Sequence, residues 1–144
     1  MHPNDLERYA FWWSEARLLI AAVALFLGGI PPIWYFIRIP ALFGIIQPAL
    51  TLCWMVSGVA SVYLLIGWWG NKQMLFGNSD RKDRVAFFVM IISGLNLGAA
   101  GLIGKNIGMS ISSNYSIFLL VGALYVVSAI YLYSRWSSHG NKMF

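Results

Sequence analysis

The chain has 144 residues, of which 59% are hydrophobic and only 10% charged, with a formal net charge of +5. Its apolar residues gather in long runs, the signature of a membrane-embedded chain, and they leave no room for a separate soluble domain or a water-facing active site of its own. The surplus of Lys and Arg flanks those runs without an aromatic-interleaved patch, which points to membrane-edge anchoring and away from nucleic acid.

The polar start MHPNDLER contains acidic residues and no small-residue cleavage site follows the first apolar run, so a cleaved secretory signal is not expected. Asn4 and Glu7 have capping-box spacing and predict a helix start near Asp5. Tyr9, Phe11, Trp12 and Trp13 are aromatic residues of the kind found at headgroup level or at the start of a span.

The first span is predicted over 18–37, interrupted by Pro31 and Pro32. Neither proline donates a backbone bond, and their rings crowd the carbonyls of Leu27 and Gly28 one turn earlier. The pair reads either as a kink near the interface or as a helix break lining a cavity. The second span is predicted over 45–69, with Pro48 in its first turn and a small, weakly polar face at Ser57, Gly58 and Ser61. Its one cysteine, Cys53, is the only one in the chain, so no intrachain disulfide or cysteine metal site can form.

The connection 70–84 is the longest polar piece and reads as a solvated turn facing lipid headgroups. Asn78 or Ser79 is suited to cap the third helix, with Asp80 and Asp83 in its first turn. The third span, 85–104, carries the main packing signal. Gly94, Gly98 and Gly101 fall on one helical stripe, which Lys105 and Gly108 extend. Small residues at this spacing let two backbones approach closely, within one bundle or across an oligomer seam. Asn96 points away from that stripe and needs a hydrogen-bond partner in hydrocarbon; Ser57, Ser61, Thr51 and Ser128 are candidates.

A polar connection over 105–115 contains the triplet Asn114-Tyr115-Ser116, which matches the glycosylation pattern but lies against an apolar run. The fourth span is predicted over 116–134 and ends in Tyr131, Tyr133 and Trp136. Arg17/Arg84, Ser61/Ser128 and Trp69/Trp136 share one offset between the two halves, without wider correspondence.

The expected fold is an all-α membrane protein of four transmembrane helices in a single bundle. On that topology eight basic residues share the side of both termini, against Arg38 and Lys105 on the other, so both ends are expected to be cytoplasmic, in a bacterial inner membrane by default. Glu15 and Arg17 are expected at an edge, which leaves the span interiors free of ionisable groups. His2 and His139 lie in the tails, so haem ligation within the bilayer is not expected, and no metal, cofactor or catalytic motif is read.

Three functions follow. The first is a non-catalytic membrane subunit or assembly factor that packs through its helices against other membrane proteins or copies of itself. The second is a small oligomeric channel or carrier for a neutral or small solute, suggested by the Pro31-Pro32 break, Asn96 and the Ser57/Ser61 face. The third, least supported, is a headgroup-level enzyme drawing on Asp80, Asp83 or His139.

Overall fold

A computed structural model describes residues 3–37 and 39–144, with the side chains of Pro3 and Asn4 outside the description. The fold is all-helical: α1 (Pro3–Phe26), a one-turn α2 (Ile33–Phe36), a 3₁₀ turn (Pro40–Leu42), α3 (Phe43–Gly70), α4 (Arg81–Ile103), a short α5 (Ile107–Ile111) and α6 (Tyr115–Ser138). Four of these helices are long and apolar enough to cross a membrane.

The first span lies further toward the N-terminus than hydropathy alone predicts. The helix stops at Phe26 because Gly28 and Gly29 take φ of +81° and +87°, a left-handed conformation that glycine adopts without steric cost. The Gly29 N–H then bonds back to the Ala24 carbonyl at 2.8 Å. Pro31 and Pro32 therefore follow the helix end and neither kink nor break it; Pro32 precedes α2 as its N-cap. The missing length is recovered at the other end, where α1 extends back to Pro3. This shift carries Glu15 and Arg17 from the expected edge into the body of the helix, and both are buried. The expectation of ion-free span interiors is thereby corrected.

The 28 residues of α3 would measure about 42 Å, well beyond the ~30 Å hydrocarbon core. Starting the helix at Phe43 moves Pro48 from the expected first turn into the second. The cap of α4 is neither Asn78 nor Ser79. Asp80 takes that position, its carboxylate accepting from the Lys82 N–H at 3.1 Å. Gly104, at φ +70°, closes α4, and Asn106 and Asn114 cap α5 and α6 with their side-chain oxygens. Asn114 is thus a helix cap, accepting from the Ser116 N–H at 2.9 Å. The capping-box expectation at Asn4 falls on a side chain outside the description; Glu7 instead accepts the N–H groups of Met143, at 2.7 Å, and Phe144.

The helices pack in a rhombus. The most extensive contacts join α3 to α4 and α1 to α6; α1 and α4 touch across the short diagonal, and α3 and α6 make no close backbone approach among the described residues. The stripe of Gly94, Gly98 and Gly101 faces α3 of the same chain. A Cβ on Gly98 would lie 2.6 Å from the Cα of Gly58, and one on Gly101 would lie 3.0 Å from the Thr51 carbonyl oxygen. One cross-packing ladder therefore runs from Gly94 against Ser61, through Gly98 against Gly58, to Gly101 against Met55.

At the end of the bundle that holds both termini, Asp83 of α4 is fully buried. It binds Arg135 of α6 in a two-pronged ion pair, with both N–O distances 2.9 Å, and accepts from the Tyr131 hydroxyl at 2.7 Å. The 71–80 connection is exposed at Lys72, Gln73, Gly77, Asn78 and Ser79 but not throughout. Leu75 and Phe76 are buried, and the Phe76 N–H donates to the Met143 carbonyl at 2.8 Å, so loop and tail close this end together.

Candidate functional site

The other half of the bundle opens into a cleft with exposed residues such as Leu19, Ile20 and Phe36 on its lining. A cavity of about 930 Å³ extends between α1, α3, α4 and α6 to the 27–36 and 104–114 connections. This lies at the upper end of the range for small-molecule sites. Apolar residues such as Leu19, Ala24, Leu50, Leu97 and Val121 make up most of its wall. The polar groups on it are few: Arg17, Ser57, Ser93, Tyr125 and the amides Asn96 and Asn106 among them. No Asp or Glu lines it among the described residues.

Arg17 is the charged group of this wall, and its residual exposure is 6%. It reaches across the short diagonal to α4, where one terminal nitrogen donates to the Ser93 hydroxyl at 3.0 Å and the other to the Met90 carbonyl at 2.9 Å. Its Nε is buried with no partner, and it forms no ion pair among the described residues. Gly94 makes the space for it. A Cβ at Gly94 would collide with the Ser61 hydroxyl and come within 2.9 Å of a guanidinium nitrogen. A glycine assigned from sequence to helix packing thus also seats the cation.

Glu15 lies two residues away, about 200° round the helix, and faces elsewhere. It is buried, one of its oxygens has no partner, and it does not line the cavity. Its presence removes the sequence argument that buried acids are missing from the spans.

Ser57 is buried on α3 beside the cavity, accepting from the Trp13 indole N–H at 3.1 Å and donating to the Cys53 carbonyl at 2.7 Å. Ser61 is buried one turn further along; its hydroxyl has no partner and it is not part of the wall. Asn96 does not pair with Ser57, Ser61, Thr51 or Ser128. It donates to Asn106 at 2.8 Å and accepts from the Gly108 N–H at 3.1 Å, tying the end of α4 to the start of α5. Pro31 and Pro32 line the end of the cavity.

The structure therefore joins Ser57, Asn96, Pro31 and Pro32 around one space, and sets Gly98 and Gly101 apart from it on the α3–α4 contact. Sequence reasoning missed Arg17, Ser93, Tyr125 and Trp13. The signal for Arg17 was the helix start near Asp5, which places it twelve residues into an apolar helix rather than at its margin. Of Asp80, Asp83 and His139, Asp80 caps α4, Asp83 is held by Arg135 and Tyr131, and the His139 ring contacts the Arg135 carbonyl. Comparison with protein-family models, with characterised proteins and with solved structures finds no match.

Proposed function

We propose that this is an integral membrane protein that binds a small membrane-soluble molecule inside its helical bundle, as a carrier or receptor, without making or breaking bonds. The observation that carries this reading is the apolar cavity between four membrane-length helices. An ionisable side chain at the wall of such a space is expected to serve a ligand or a path, since burying it there is costly. With Arg17 inside the bundle, the basic residues divide seven to two in favour of the end with both termini, which supports cytoplasmic ends.

The docking-subunit reading draws less support, because α3 occupies the glycine stripe that would have served as an outward seam. One experiment separates the two: native mass analysis of the protein purified in mild detergent. A retained small mass on the single chain supports the binding reading. A fixed-ratio complex with another polypeptide and no small ligand favours the subunit.

A further inference from the structure

We infer that the cavity takes an amphiphile with an oxyanion head, a carboxylate or a phosphate, and that Arg17 receives that head. The inference rests on the binding reading above and names its ligand class. Three features support it. Arg17 is the charged group of the acid-free wall, and its guanidinium forms no ion pair among the described residues. A guanidinium carries five N–H donors in a planar fork that matches carboxylate and phosphate oxygens, and the two bonds to Ser93 and Met90 leave donors to spare. Ser93 and Tyr125 also line the wall that Arg17 lines, and the Ser93 hydroxyl, which accepts from Arg17, keeps its proton to donate.

The rest of the wall argues against a free inorganic anion. From Arg17 the cavity continues past Leu97, Val121 and Phe118 toward Gly29 and Met109, a mainly apolar channel that would hold a hydrocarbon chain. A hydrated ion gains nothing from such a lining, whereas each buried methylene contributes favourably. A neutral lipid would leave the Arg17 charge unmatched in a low-dielectric site.

The test uses wild-type protein in phosphatidylcholine nanodiscs and a ligand series of one chain length: oleate, oleyl phosphate, oleyl alcohol and oleylamine, with inorganic phosphate as competitor. One or both anionic amphiphiles are expected to bind at least about tenfold more tightly than the alcohol, the range for a charge-assisted hydrogen bond, and the amine more weakly still. Which of the two anions binds better distinguishes a fatty-acid from a phosphate-headed ligand. Arg17→Gln is expected to erase the preference for the anion while leaving alcohol binding in place. Should that variant not fold, the wild-type series decides alone. Equal binding of oleate, oleyl phosphate and the alcohol overturns the head-group assignment and leaves the cavity reading standing. Displacement of a bound anion by millimolar phosphate overturns the amphiphile. Failure of every alkyl ligand to bind overturns both readings.

Discussion

Gly58 of α3 and Gly98 of α4 meet backbone against backbone, with neither able to accept a Cβ without moving the other helix: from Gly58 the distance to the Gly98 Cα would be 2.8 Å. Gly98→Ala is therefore expected to destabilise the isolated chain by about 1–3 kcal/mol, the usual cost of overpacking, and Gly98→Leu to prevent α3 and α4 from seating. Thermal unfolding in detergent measures this. A melting temperature unchanged by Gly98→Leu would show that the close approach is not needed.

Asp83 and Arg135 fasten α4 to α6 at the end that holds the termini. Removing the cation strands a fully buried carboxylate, so Arg135→Ala is expected to cost about 3–5 kcal/mol, and Asp83→Ala, which leaves a partly exposed cation, less. Arg135 retains some exposure, and Arg135→Ala leaves the Asp83 carboxylate with Tyr131 as its remaining partner. The double replacement Asp83→Ala with Arg135→Ala is expected to cost less than the two single replacements summed. A double-mutant cycle on melting temperature checks this, and strict additivity would argue against the coupling.

Asn96 holds the α4–α5 corner beside the cavity end. Asn96→Leu removes its bonds to Asn106 and to the Gly108 N–H, at a cost of about 0.6–2 kcal/mol. The more specific readout is amide exchange. Gly108 should lose protection while the amides at the centre of α4 keep theirs; uniform exchange along α4 and α5 would contradict the assignment.

The positive-charge bias predicts that reporters fused to either end, and one inserted near Asn78, all report the cytoplasmic face. The contacts of Glu7 with Met143 and Phe144, and of Phe76 with Met143, place these three segments at one end of the bundle. A C-terminal fusion active on the outer face would contradict the orientation.

Much of the fold was legible because apolar runs near 20 residues have few alternatives in lipid. The glycine stripe of the third span was legible for the same kind of reason: its spacing dictates a close contact, though not with which helix. The boundaries of the first span were not. Hydropathy registers Gly28 and Gly29 as compatible with a membrane helix, while their positive φ ends it, and it registers Arg17 as a margin because it weighs side chains against lipid rather than against protein. Arg17 is held in the bundle by Ser93 and the Met90 carbonyl, which take its two terminal nitrogens, and Gly94 leaves it room. That arrangement depends on which faces of α1 and α4 meet, which one-dimensional periodicity does not specify. The Asn96 partner was missed because residues 105–115 were read as a connection, and the fold turns their first part back over the end of α4.

If the space between the helices is a binding site, filling it should abolish binding. Ala24 lines the cavity on α1, and Ala24→Trp would occupy the space with little demand on the surrounding packing. Saturable ligand binding and thermal unfolding should be measured on the same nanodisc preparations of wild-type and variant protein. The account predicts that the variant folds, melts no lower than wild type and loses binding; a folded variant that binds as tightly as wild type would contradict it.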